Sequence, residues 1–339
     1  MLIAIHHRPG SFSEKWIEYC RNHDVHYKIV NCYSTDIVEQ LRGCDGLMWH
    51  WAHHDYKASL FARQLTYSLE AMGKKVFPSA ANAWHYDDKV GQKYLLESIS
   101  APLVPSYVFY RKQEAMNWAA STTYPKVFKL RGGAGAENVR IARSRTEAER
   151  YIKKSFGRGY KVKSRLNFVK ERVWHFKRDK SIKSFANIGK GFARLVLPTE
   201  VEKNFPPERN YAYFQDFVPN NDSDIRVIVI GRRAFAIKRM VRKGDFRASG
   251  SGEIIYDPKK IPQECLKIAF EVSSKITTQS LAYDFVFDSG QPLVVEISYA
   301  FSREGYFACP GHWTDQLEWV DGSFSPEYFM IEDFIEGLL

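Results

Sequence analysis

The sequence predicts an α/β protein: a small parallel sheet with flanking helices at the N-terminus, followed by α+β architecture built on antiparallel hairpins. Three observations carry this. Residues 1–80 alternate short apolar runs with amphipathic segments, the βαβα pattern of a parallel sheet. Phe214–Val241 holds two apolar runs joined by a Gly-containing turn, which reads as an antiparallel hairpin. Leu281–Phe287 and Leu293–Ile297, joined by a turn over Asp288–Gln291, read as a second hairpin.

Taken in order, Leu2–His6, Tyr27–Val30, Gly46–Trp51 and Lys75–Phe77 read as strands. Ser13–Asn22, Asp36–Arg42 and Ala58–Met72 read as the helices between them, the last closed by Gly73. Asp87–Ile99 reads as a helix with two acids suited to its positive N-terminus. Lys89 does not suit that position, so it is either solvated or directed at an anion. Tyr107–Tyr110 and Val127–Leu130 are strand-like, and Asn138–Ile141 resumes a strand after the loop 131–136. Pro262–Thr277 is an amphipathic helix. The last segment, 310–339, is aromatic and acidic and is expected to end in a closing helix, Pro326–Leu338.

Composition narrows the function classes. The chain has 339 residues, 45% of them hydrophobic, without an apolar run long enough to span a bilayer. Its N-terminus opens on a strand-like run rather than a signal peptide. Its five cysteines are odd in number and form no CxxC pair, so neither a disulfide framework nor a zinc site is indicated. A cytoplasmic location is expected.

The net charge of +10 is concentrated in one place. Between Lys153 and Arg194 stand 14 Lys and Arg against Glu171 and Asp179, a local +12 that leaves the rest of the chain slightly acidic. Within this segment Leu166, Val169, Val173 and Phe176, then Ile182, Phe185, Phe192 and Leu195, recur at helical spacing. Such basic amphipathic helices lie on anionic membranes or bind acidic polymers; the alternative is two surface helices with a solvated basic face. No nucleic-acid motif is present, so nucleic acid is not the expected partner.

The chemistry-bearing residues fall in four places. Asp224, Arg226, Lys238 and Arg239 lie on the Phe214–Val241 hairpin, where an Arg inside an apolar run needs an anion. That anion is a ligand, or the group is a structural Asp–Arg pair. Lys129 precedes Arg131-Gly132-Gly133-Ala134-Gly135-Ala136, a strand–glycine loop–strand unit that can lay backbone N–H groups over phosphates or serve as a plain hairpin tip. Asp284 and Glu296 stand one in each strand of the second hairpin, and two carboxylates so placed need a cation between them. Magnesium held partly by phosphate oxygens is the expected solution. His50, His53 and His54 sit just past the third strand, where open sheets bind ligands, but without an acidic or Cys partner at metal spacing.

In this order the parts resemble the ATP-grasp family, most closely the ribosomal-protein glutamate ligase and glutathione synthetase-like branch. The resemblance covers roughly residues 1–305. It rests on Gln215-Asp216-Phe217-Val218, Asp224-Ile225-Arg226 with the apolar run to Gly231, Lys238-Arg239, Gly244-Asp245-Phe246-Arg247, and the Asp284 and Glu296 strands. It implies an N-terminal domain over 1–82 and two α+β subdomains sandwiching a nucleotide. These are 83–208, carrying the basic insertion 153–200, and 209–310; a closing segment, 311–339, follows.

It also implies roles. ATP and Mg2+ are the expected cofactors. Lys89 and Lys129 are expected on nucleotide phosphates, with Gly132, Gly133 and Gly135 covering them. Gln215, Asp216 and Val218 are expected to hold the adenine and Asp224 to reach the ribose side, with Lys238 among the nucleotide contacts. Arg226, Arg239 and Arg247 are expected to face the triphosphate and the carboxyl substrate. Asp284, Glu296 and Ser298 are the expected metal ligands, with Ser298 standing where the family usually has Asn. A hydroxyl is the weaker ligand there, which leaves one or two metal ions open. The implied activity joins a carboxylate to an amine through an acyl phosphate. The sequence is also similar to ATP-grasp proteins of surface-polysaccharide biosynthesis. The expected substrates are thus an amino acid or amine and an anionic carboxylate acceptor, a glycan or lipid-linked glycan, with peripheral contact at an anionic membrane. An acidic-peptide ligase and a non-catalytic nucleotide-binding protein are the alternatives.

Overall fold

The computed structural model describes residues 1–52, 55–133, 138–161, 206–241 and 253–338. His53, His54, Gly135, Arg247, the loop 244–252 and the basic segment beyond residue 161 lie outside the described residues. The chain forms two compact units, Met1–Val104 with Val218–Leu339, and Pro105–Phe217.

The larger unit begins with a four-stranded parallel sheet of β1 (Ile3–His6), β2 (Tyr27–Val30), β3 (Gly46–Trp49) and β4 (Lys75–Phe77), in the order β2-β1-β3-β4. Helices α1 (Ser13–Asn22), α2 (Ile37–Gln40) and α3 (Tyr56–Ala71) connect its strands. The fully buried β1 and β3 explain their unbroken apolar runs. Helix α1 turns Ser13, Trp16, Ile17 and Cys20 inward. Asp55 caps α3, accepting from the N–H groups of Lys57 at 3.1 Å and Ala58 at 3.2 Å.

After the short helix α4 (Ala80–Ala83), α5 (Lys89–Ser98) starts at Asp88, whose carboxylate accepts the Gly91 N–H at 2.9 Å. The unit's second sheet is antiparallel. It contains β9 (Ser223–Ile230), β10 (Arg233–Met240), β12 (Ser280–Asp288), β13 (Gln291–Ser298), β14 (Gly311–Thr314) and β15 (Trp319–Asp321), in the order β13-β12-β9-β10-β14-β15. The two-residue β11 (Ile254–Ile255) pairs with β10.

One face of this sheet packs Ile225, Val227, Val229, Tyr283 and Phe285 against α8 (Gln263–Lys275). The other buries Ile228, Ile230, Phe235 and Ile237 in the core shared with the parallel sheet and α9 (Pro326–Glu336). Gly231 has φ +55° at the first position of the two-residue β9–β10 turn, the backbone that a type II′ hairpin requires.

The smaller unit is a four-stranded antiparallel sheet of β5 (Ser106–Phe109), β6 (Lys126–Lys129), β7 (Arg140–Ala142) and β8 (Ala212–Asp216), in the order β5-β8-β6-β7. Helices α6 (Lys112–Ser121) and α7 (Arg145–Ser155) cover one face through Ala115, Ala119, Phe128, Ala148, Ile152 and Phe214.

Two differences from the sequence reading are structural. The C-terminal segment contributes β14 and β15 to the large sheet besides its closing helix. Lys153–Ser155, read as the start of the basic segment, finish α7. Tyr160 and Glu208 exchange backbone hydrogen bonds of 2.9 and 2.8 Å, so the segment between them starts and ends at adjacent points.

Candidate active site

The alternation of strand residues sorts the hairpin charges. On β9, Asp224 and Arg226 share a face with Ile228 and Ile230. Their partners in register are Arg239 and Ile237 on β10, and Arg226 also stands opposite Asp284 on β12. Asp284 in turn stands opposite Glu296 on β13, beside a bulge at Asp284/Phe285. One sheet face therefore carries a row of charges over four adjacent strands.

The row is fully paired. Arg226 donates from Nε to Asp284 Oδ1 at 2.5 Å and from Nη2 to Oδ2 at 2.6 Å. Arg239 donates to Asp224 from Nε at 2.7 Å and from Nη2 at 2.5 Å, and the same Nη2 lies 3.0 Å from Asp284 Oδ1. Lys89, at the first turn of α5, reaches Glu296 Oε1 at 3.0 Å. Both Lys89 and Arg239 are almost fully buried. The sequence leaves open an anionic ligand or an internal pair for Arg226, and the folded chain itself supplies the internal pair.

The electrostatics follow from burial against pairing. Burial raises the Asp284 carboxyl, but the charges of Arg226 and Arg239 outweigh it and hold Asp284 far below the usual carboxylate range. Burial pushes Asp224 up against the pull of Arg239. Burial lowers Lys89, yet Glu296 and then Asp87 keep its ammonium above the ordinary lysine value.

The remaining candidate residues divide between the charged sheet face and other surroundings. Lys238 is one residue from Arg239 and so points to the opposite face, opposite Ile225 and apart from the charge row. Asp224, expected on the ribose side, is held by Arg239 at both carboxylate oxygens. Ser298 is two residues beyond Glu296 and on the same face; its hydroxyl donates to the Ala300 carbonyl at 2.7 Å. His50 stacks on Phe12 at 3.7 Å and accepts the Phe12 N–H through Nδ1 at 3.1 Å. Tyr306, which carried no signal in the sequence, is buried where the Arg226 charge bears on its hydroxyl.

In the smaller unit, Lys129 and Gln215 lie on the sheet face away from α6 and α7. Lys129 Nζ donates to Gln215 Oε1 at 2.5 Å, and Gln215 Nε2 donates to Ser106 Oγ at 3.1 Å. Asp216 points to the other face, where Lys126 Nζ reaches it at 2.6 Å. Its N–H is taken by the Pro105 carbonyl at 2.8 Å. Gly132 and Gly133 come after Leu130 and Arg131 at the end of β6, Gly133 with φ +110°. Val218, in the larger unit just past β8, lies where its carbonyl accepts from Asn221 at 3.4 Å.

Asp284 and Glu296 offer carboxylate oxygens on facing strands. Among the described residues no three His, Cys, Asp or Glu side chains cluster closely enough to hold a metal by themselves. That donor set suits magnesium, which takes one or two carboxylates and completes its shell with water and phosphate.

Comparison with known proteins agrees with this architecture. Residues 199–306 match the RimK-like ATP-grasp domain. No curated protein matches the chain. Solved structures match it over nearly its whole length at low identity. A RimK domain ATP-grasp protein from Sphaerobacter thermophilus superposes with TM-score 0.58 at 14% identity, covering 99% of this chain and 100% of that one. D-cycloserine synthetase DcsG gives 0.59 at 12%, covering 100% of both. D-alanine–D-alanine ligase from Bacillus anthracis, in complex with ATP, gives 0.56 at 10%, covering 100% and 98%. At such identities the likeness is one of fold.

Proposed function

Proceeding from an ATP-grasp fold that carries a RimK-like ATP-grasp domain at residues 199–306, we propose that this protein is an ATP-dependent carboxylate–amine ligase. The observation that supports it most is Asp284 opposite Glu296, with Arg226 and Arg239 on the same sheet face.

In this reading Lys89, Lys129, Gly132, Gly133 and Gly135 serve the phosphates, and Gln215, Asp216 and Val218 serve the adenine. Asp284 and Glu296 would hold magnesium, with Ser298 contributing directly or through water. The ion would neutralise phosphate charge. A triphosphate gives Arg226 and Arg239 new anionic partners, which frees Asp284 from two guanidiniums. An oxygen of the acceptor carboxylate attacks the γ-phosphorus and ADP leaves. The neutral amine then attacks the acyl carbon, inorganic phosphate departs, and the nitrogen gives up a proton to leave an amide. Arg226, Arg239 and Arg247 stabilise the charge that builds on phosphoryl and tetrahedral oxygens.

The finer reading joins an amino acid or amine to a carboxylated sugar, a uronic acid in a glycan or lipid-linked glycan. The +12 segment between Lys153 and Arg194 supports an anionic acceptor and peripheral contact with an anionic membrane. Purified protein is expected to release ADP only when both a carboxylate and an amine are supplied. ADP release with a hydroxyl acceptor and no amine would make it a kinase instead.

A further inference from the structure

We propose that Arg8 is the anion-binding end of a separate substrate subsite, one that takes a carboxylate at the carboxyl edge of the N-terminal parallel sheet. The topology sets the place. With the order β2-β1-β3-β4, the chain runs from β1 outward to β2 on one side and to β3 on the other. Open α/β sheets bind ligands at such a switch point, beyond the carboxyl ends of the strands. Here those ends carry His6 as the last residue of β1 with His7 and Arg8 after it, Tyr33 after β2 and His50 after β3.

Almost every polar group at this edge is already engaged. His6 Nδ1 accepts the Cys32 N–H at 3.0 Å, and His50 Nδ1 accepts the Phe12 N–H. His7 Nδ1 and the Arg8 N–H both meet Ser13 Oγ at 3.1 Å. Asp55 caps α3 and accepts the Tyr33 hydroxyl. Glu14 is bound by Arg303 at 2.7 Å.

Arg8 is the exception. Its side chain is half-buried, and its guanidinium makes no hydrogen bond or ion pair with the described residues. Its charge bears on His6, Tyr33 and Tyr299, which come from three parts of the chain. This guanidinium, partly in water and with no described carboxylate bonded to it, is available to an anion arriving at that edge. Its planar fork matches a carboxylate at both oxygens.

The edge is continuous with the charge row inside the larger unit. Tyr299 directly follows Ser298 and donates its hydroxyl to the Trp51 carbonyl. Phe12 packs on Phe301 with ring centres 5.0 Å apart, and Phe301 packs on Tyr306, whose hydroxyl feels Arg226. Arg8 and the charge row are thus joined through packed core side chains of the same unit. Which substrate brings the carboxylate, acceptor or amino-acid amine, rests on the ligase reading; the anion site itself does not.

Calorimetric titration of the full chain in the presence of magnesium and AMP-PNP tests this. The probes are D-galacturonate and succinate for an acceptor, and glycine and L-glutamate for an amine, each against its uncharged methyl ester or amide. At least one carboxylate is expected to bind about tenfold tighter than its counterpart. Arg8→Gln is expected to erase that preference and Arg8→Lys to keep part of it. Because the guanidinium bonds nothing described within the protein, AMP-PNP affinity is expected to match across the variants. The proposal is overturned if the preference survives Arg8→Gln, or if none of these carboxylates binds better than its counterpart. Failure of AMP-PNP to bind the wild type would sink the ligase reading alone.

Discussion

Arg226 on β9 grips both carboxylate oxygens of Asp284 on β12, at 2.5 and 2.6 Å, in a register where the two stand directly opposite. Arg239 adds a second guanidinium at 3.0 Å. Asp224, Arg226, Arg239 and Asp284 thus balance in charge, as do Lys89 and Glu296. A divalent ion alone would add two uncompensated positive charges, whereas an ion arriving with a triphosphate brings its own anionic partners.

Magnesium alone is therefore expected to leave the melting temperature unchanged, while magnesium with ATP raises it. At ligand concentrations about 100-fold above Kd the gain is about 2.7 kcal/mol. Asp284→Asn is expected to abolish this gain and to cost about 3–5 kcal/mol itself, because two buried guanidiniums lose a charged partner. Differential scanning calorimetry reads both; stabilisation of the wild type by magnesium alone would contradict the exchange.

Ser298 shares a face with Glu296 but spends its hydroxyl on the Ala300 carbonyl at 2.7 Å. Ser298→Asn brings a longer amide oxygen to that position. The magnesium concentration for half-maximal ADP release is expected to fall by about threefold or more, from one better oxygen ligand. An unchanged magnesium dependence would remove Ser298 from the metal shell.

His85 is fully buried, and neither ring nitrogen has a partner among the described residues. Burial, helped by the nearby Arg63 charge, lowers its pKa from 6.5 to about 4. Above the unfolded value both states are neutral and the residue has no pH effect. As the pH falls from 6.5 through about 4, the unfolded chain gains a proton that the folded chain refuses. Stability then declines by about 3 kcal/mol in total. His85→Leu loses no hydrogen bond and is expected to flatten that part of the pH–stability curve. Identical urea-unfolding curves for both proteins across this range would refute it.

Tyr160 and Glu208 hydrogen-bond to each other across the ends of the basic segment. Replacing residues 162–206 by a short Asn-Gly turn is expected to leave nucleotide affinity within about twofold, since the closure is local. The same deletion is expected to abolish sedimentation with vesicles containing anionic lipid. Retained vesicle binding would show that the segment is not the membrane or acceptor surface.

The sequence reading succeeded where patterning is strong. Tyr27–Val30, Lys75–Phe77 and α1 match to the residue, because buried runs and amphipathic spacing bound them. The hairpin bearing Asp284 and Glu296 was legible because single acids interrupt apolar strands. What occupies those acids was not, since Arg226 lies 58 residues before Asp284 and only the sheet order makes them neighbours. Lys238 adjoins Arg239 in the sequence, but the strand's period of two turns them to opposite faces. Strands β14 and β15, four and three residues long, are too short to show alternation. Arg8 carries no local signal at all, because its exposure to an anion depends on which strand ends meet.

The most direct test of the ligase account follows oxygen atoms. A uronic acid labelled with oxygen-18 at both carboxyl positions is incubated with the protein, magnesium, ATP and an amino acid. The account predicts that one labelled oxygen appears in the inorganic phosphate and the other stays in the amide, with neither transfer in Asp284→Asn. Unlabelled phosphate accompanying amide formation, or the γ-phosphoryl group recovered on a hydroxyl, would contradict it.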